Sequence, residues 1–230
     1  MGEKNNKMLE VLDWAYEKSM NGIPGTLSAE DLAEDYLRKH STVEKACDSL
    51  INWQMSKCAT SGFITGLGGL ITLPVAIPAN VSSVIYVQMR MIAAIAYMGG
   101  HDLKDDSVKS LVFICLTGNA AADILKEVGI KIGTKLTKSV IQKISAATIT
   151  KINQKVGFRL LTKFGEKGVI NLGKAIPVVG GIIGGGMDLA STKVIGSTSK
   201  RMFFIPDEEL DYEEEISFYT PDKYLAKSHI

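Results

Sequence analysis

At 230 residues, 46% of them hydrophobic and 22% charged, the chain can build one sizeable apolar core and is not a disordered tail protein. Its 22 glycines follow no Gly-X-Y period, which excludes collagen. Three cysteines (Cys47, Cys58, Cys115) and three histidines (His40, His101, His229) are too few and too scattered for a disulfide framework or a metal centre, so neither metal nor other cofactor is expected.

The net charge of +1 conceals segregation. Residues 1–130 hold 11 Lys/Arg against 15 Asp/Glu (−4), residues 131–201 hold 13 against 2 (+11), and residues 202–230 hold 2 against 8 (−6). A basic block beside an acidic tail is an interaction signal. The first residues lack a basic stretch followed by an apolar one, so no secretory signal is expected. Asn6 stands where a myristoylation signal needs Ser or Thr. With few cysteines, a reducing cytoplasmic setting is the expectation.

In chain order, residues 3–20 read as a helix carrying Leu9, Leu12, Trp14 and Tyr16 among charges. A breaker cluster at 21–25 follows. Ser28, with Asp31 three residues on, caps a second helix that runs to about Lys57, with an interruption expected near Ser41 and Thr42. From Cys58 to Met89 no residue is charged, a run of 32. Gly62, Gly66, Gly68, Gly69, Pro74 and Pro78 break its first half, and Asn80, Ser82, Ser83, Gln88 and Arg90 mark its continuation to Met98. An arginine near the middle of a lipid-exposed span costs about 2.5–3.5 kcal/mol or more. A buried or re-entrant hairpin is therefore preferred to a true transmembrane span.

Gly99 and Gly100 end that helix, another runs from about 103 to 128, and Gly129 closes it. Residues 130–167 are basic. Lys151, Lys155, Arg159, Lys163 and Lys167 recur every four residues beside Ile152, Val156, Leu160 and Phe164, placing a cationic stripe along an apolar one on a single helix. Residues 175–203 form a second glycine-rich apolar element. The tail from Pro206 is acidic and reads as partly ordered at best. Strand periodicity is weak throughout, so the fold class is all-α: a single helical domain of about six or seven helices, with the two Gly/Pro-rich apolar elements packed centrally. The organisation expected is an N-terminal helix and turn at 1–27, the helical domain at 28–204 and the tail at 205–230.

Each motif has a plain reading beside its functional one. Gly168 to Lys174 nearly fits a phosphate loop, but Ala175 replaces the Ser or Thr that binds Mg²⁺ and no strand precedes it, so nucleotide binding is set aside. The pairs Gly62/Gly66, Gly180/Gly184 and Gly181/Gly185 permit close helix crossing, in a soluble core or in a bilayer. Arg90 and Asp188 are lone charges in apolar elements and are expected to be ion-paired, with each other or with Asp123. His101 with Asp102 reads as a turn feature, and Cys47 and Cys115 as inert core thiols. The basic stripe has three readings: a solvated face, a surface for anionic lipid headgroups, and, least favoured because aromatics are scarce and the tail is acidic, a nucleic-acid surface. The acidic tail is a candidate screen for that stripe, in which case deleting residues 207–230 strengthens binding to anionic liposomes.

The sequence GFITGLGGLITLPVAIP at 62–78, followed by QMR at 88–90 and YMGGHD at 97–102, and then by IPVVGGIIGGGMD at 176–188, Thr192, Ile195-Gly196 and KRMF at 200–203, resembles the bacterial EcsC protein family over residues 30–204. The resemblance implies an all-helical bacterial protein. The family takes its name from an operon that also encodes the two parts of an ABC transporter, and no catalytic residues carry over. The matching positions are Pro74, Pro78, Arg90, Asp102, Pro177, Gly180, Gly184, Asp188 and Thr192, expected to shape the apolar hairpin and its polar partner. The expected function is a non-enzymatic, peripherally membrane-associated accessory protein whose partner is an anionic membrane surface or a membrane protein, a transporter being one candidate. Alternatives are a bilayer-inserting or pore-forming effector, a soluble lipid binder, and a hydrolase using Arg90, His101, Asp102, Asp123 or Asp188, for which no nucleophile elbow, HExxH or paired-carboxylate signature is found.

Overall fold

The structure, a computed structural model, describes residues 2–58, 79–130, 138–164 and 180–204, with side chains at 5–56, 83–130, 138–163 and 191–204. Among these, nine α-helices and one 3-10 turn run in the order α1 (Gly2–Asn21), α2 (Ala29–Lys39), α3 (Val43–Cys58), α4 (Ala79–Met98), α5 (Asp106–Cys115), the 3-10 turn Gly118–Ala120, α6 (Ala121–Glu127), α7 (Lys138–Gln142), α8 (Ala146–Phe164) and α9 (Gly180–Phe203). No strand occurs among the described residues, as the weak strand periodicity predicts.

The helix count exceeds six or seven because local chemistry divides the chain at more places than the interruption expected near Ser41 and Thr42, which is found. Ser28 caps α2 as read from sequence: its Oγ accepts the Asp31 amide at 3.0 Å and donates to the Asp31 carboxylate at 2.7 Å. The chain then turns extended at His40 before Thr42 Oγ1 caps α3 by accepting the Lys45 amide. The helix expected over 103–128 starts only at Asp106, where Asp105 caps it by accepting the Ser107 amide at 2.7 Å. It breaks at Gly118, whose φ of +60° no other residue adopts cheaply. Gly100 (φ +75°) and Gly129 (φ +84°) end α4 and α6 in matching motifs. The next amide reaches back five residues, His101 to the Ala96 carbonyl and Ile130 to the Leu125 carbonyl.

Helix α4 is the hub. It packs against α1, α2, α3, α5 and α9, and every residue from Ile85 to Ala96 is buried. A sequence apolar on all sides is what an enveloped helix requires, and Ala93, Ala94 and Ala96 let neighbours come close. Helix α9 lies on both α3 and α4, so the described parts of the two apolar elements meet at the centre. Close approach at α3 rests on Gly196, where a Cβ would lie 2.7–2.9 Å from three side-chain carbons of Ile51. Gly99 likewise admits the Phe203 carbonyl. Pro74, Pro78 and Pro177 lie outside the described residues; Gly180 and Gly184 lie in the first turns of α9. Helix α1 buries Met8, Val11, Leu12 and Ala15 in the same core and packs along α8.

Candidate functional site

Three features carry polar chemistry: the Arg90 node, the outer face of α8, and a groove beside α1. Arg90, on the hub helix, is only 3% exposed. One guanidinium nitrogen donates to the Leu27 carbonyl at 3.2 Å, and the cation sits 5.6 Å from the centroid of the Tyr86 ring. Tyr86 Oη is 2.7 Å from Thr26 Oγ1, and Thr26 Oγ1 also donates to the Ile23 carbonyl. Arg90 and Tyr86 thus hold the 22–28 loop on α4. Burial holds the guanidinium below its usual range, and the neighbouring Tyr86 partly offsets this.

The expected ion pair with Asp123 is not found. Among the described residues no carboxylate pairs with Arg90, and Asp123 is exposed on α6. The Asp188 side chain is outside the described residues. The carbonyl, the phenol and the ring face satisfy the arginine in part, while its buried Nε lacks a partner. His101 is buried, with Nε2 3.1 Å from the Phe203 carbonyl and its ring edge-on to Phe203 at 5.3 Å. Asp102 faces solvent and accepts the Lys104 amide at 2.8 Å, a turn contact. Arg90, His101, Asp102 and Asp123 therefore do not converge on one pocket. Thr192 is buried within α9. Cys47 and Cys115 are fully buried; burial pushes their thiols up to about 11 and about 12.

Helix α8 starts behind Ser145, whose Oγ accepts the Thr148 amide. The apolar stripe of the sequence reading turns inward: Ile152, Val156 and Leu160 are core residues against α1 and α5, not a lipid-facing band. The cationic stripe is divided. Lys155 pairs with Glu127 of α6, and Lys163 donates to Ser191 of α9 at 3.3 Å. Lys151 and Arg159 are exposed and, among the described residues, form no salt bridge. Between them Phe158 stands 48% exposed, one of three large apolar side chains that reach solvent among the described residues. Lys167 lies outside the described residues.

The third feature was missed in the sequence. Glu10, Asp13, Trp14, Glu17, Met20 and Asn21 share one face of α1 and line a groove of about 940 Å³. Its far wall is Leu103, Lys104, Asp106 and Lys109, with Glu30 at one end. Tyr16 forms its base: its hydroxyl donates to the Leu103 carbonyl at 2.6 Å, and its ring meets Phe113 edge-on. Lys109 bonds Asp13 at 2.6 Å and stands over both rings. Burial raises the Tyr16 pKa, and the carboxylates of Asp102, Asp105, Asp106 and Glu30 raise it further. The signal available in the sequence was the 10, 13, 17 spacing of acids on the first helix. Its apolar companions concealed it.

These features define an all-helical protein with a polar-clasped central helix and separate acidic and basic surfaces. The EcsC protein family model matches residues 5–205, and the chain belongs to that family. The match takes in α1 as well as the apolar elements. No characterised protein and no solved structure matches the chain. Among the described residues, no helix is long and apolar enough to cross a membrane, and no cluster of His, Cys, Asp or Glu could hold a metal ion.

Proposed function

We propose that the protein is a non-enzymatic accessory protein that docks on the cytoplasmic face of a membrane, laying the outer face of α8 against anionic headgroups. The observation that carries this reading is Phe158, 48% exposed between Lys151 and Arg159 on a helix whose other face is locked in the core. An aromatic ring flanked by exposed cations suits the headgroup layer, where the ring buries and the cations meet phosphate. The charge of the 131–201 segment supplies longer-range attraction to the same surface.

Docking accounts for the molecule better than insertion. Helix α4 is covered on every side and carries Arg90 with its loop clasp, so exposing it to lipid would break that clasp and strip the core. Flotation with neutral and anionic vesicles tests the reading. Anionic vesicles should carry the protein at low salt and release it at high salt. Each cation near such a surface is worth about 1 kcal/mol, so Lys151→Glu with Arg159→Glu should weaken partitioning by at least about 30-fold. Failure to float with anionic vesicles at low salt, or equal flotation with neutral ones, would overturn it.

A further inference from the structure

We propose that the acidic groove beside α1 receives the outer face of α8 from a second copy of this chain, giving head-to-tail assembly. The two surfaces match in charge, spacing and apolar content. The groove carries Glu10, Asp13, Glu17, Glu30 and Asp106 against Lys104 and Lys109, and Lys109 is already held by Asp13. Its lining also contains Trp14, Met20 and Leu103, apolar surface for a side chain of the same kind. The opposing face offers Lys151 and Arg159 with Phe158 between them.

Spacing follows from helix geometry. Lys151 and Arg159 are eight residues apart, about 12 Å along the axis, and Glu10 and Glu17 are seven apart, about 10.5 Å. The two spacings are comparable, so a helix laid along the groove sets its two cations at about the axial separation of the two carboxylates, with Phe158 between them in sequence. The contact cannot form within one molecule. Helix α8 meets its own α1 through Gly157, which touches Asn5 and Leu9, and through the Asn5 bond to the Gln154 carbonyl. Lys151, Phe158 and Arg159 lie on the exposed side of α8. Because groove and face are different patches, the contact is heterologous and leaves one of each free at the ends of a chain of copies, so assembly continues unless it closes into a ring. It also covers the face assigned above to lipid, so the assembled protein and the docked protein compete.

The inference shares the α8 face with the lipid reading but is read in lipid-free buffer, so either can fail alone. Sedimentation of the full chain should show mass rising with concentration at low salt and falling to the monomer at high salt, where screening shortens the reach of these charges from about 10 Å to about 3 Å. A groove variant (Glu10→Lys with Glu17→Lys) and a face variant (Lys151→Glu with Arg159→Glu) change only exposed residues, and far-UV circular dichroism checks that each folds. Each alone should be monomeric. Mixed in equal amounts they should assemble again, because the exchanged charges restore complementarity both between the wild-type face and groove and between the two reversed ones. Three results would overturn the proposal: a wild-type monomer at every concentration at low salt, association indifferent to salt, or variants that stay monomeric when mixed. A wild-type monomer that binds a lysine-rich peptide through Glu10 and Glu17 would also overturn it, by assigning the groove to a foreign cationic partner.

Discussion

Gly196 and Ile51 form a point where one atom decides the distance between two helices. A Cβ on residue 196 would sit 2.7 Å from Ile51 Cγ1 and 2.9 Å from both Cδ1 and Cγ2. Cγ1 and Cγ2 branch from Cβ of Ile51 and Cδ1 extends from Cγ1, so no single rotation removes all three contacts. Gly196→Ala therefore forces α9 from α3 or strains the isoleucine, at a cost of about 1–3 kcal/mol. Alanine also improves an interior helix position by about 1 kcal/mol, so the net loss in the wild type is about 1 kcal/mol. Ile51→Ala alone costs about 2–5 kcal/mol, since the side chain is 6% exposed and its removal opens a cavity. It also deletes all three clashing atoms. In that background Gly196→Ala should stabilise the protein by about 1 kcal/mol, so the same substitution changes sign. Urea unfolding of the four proteins, with unchanged slopes, gives the coupling directly. The same sign in both backgrounds, or additivity within about 0.5 kcal/mol, would refute the close-contact argument.

Three further outcomes are expected. Burial holds the His101 pKa below the ordinary histidine value, outweighing the Phe203 carbonyl contact, with Lys138 adding to the depression. The unfolded chain then takes up the proton first as pH falls, so this contribution is intact above about pH 6.5 and is lost progressively below it, by at most about 1.4 kcal/mol per pH unit. His101→Gln should flatten the measured stability between pH 7 and 5, and a slope equal to wild type would exclude His101 as its source. Tyr86→Phe removes the hydroxyl beside Thr26 and should cost about 1–2 kcal/mol while speeding proteolysis within the 22–28 loop, whereas an unchanged cleavage rate would detach the loop from the Arg90 node. In a Cys58→Ser protein, a thiol reagent should label Cys47 and Cys115 only as fast as the fold opens, and rapid labelling under native conditions would contradict their burial.

What one sequence determined here is local and periodic. Ser28 and Asp31 specified a cap because a hydroxyl three residues from an amide has one good partner. Gly129 closed a helix because positive φ costs glycine least. An uncharged run with Arg90 near its end specified a buried helix, and the motifs around it specified the EcsC family. Tertiary structure decided every question about partners across the chain. Periodicity placed Ile152, Val156 and Leu160 on one face but could not say that α1 and α5 cover it, so packing alone decided between core and lipid for that stripe. Arg90 required partners, and that a loop carbonyl and a tyrosine ring are among them depended on how the 22–28 loop folds over α4. The acids of α1 became a groove only when α5 and the turn before it supplied the opposite wall. Short-range hydrogen bonds and helical spacing depend on neighbours within a few residues, whereas burial, pairing and concavity depend on surfaces that meet only after the chain has packed.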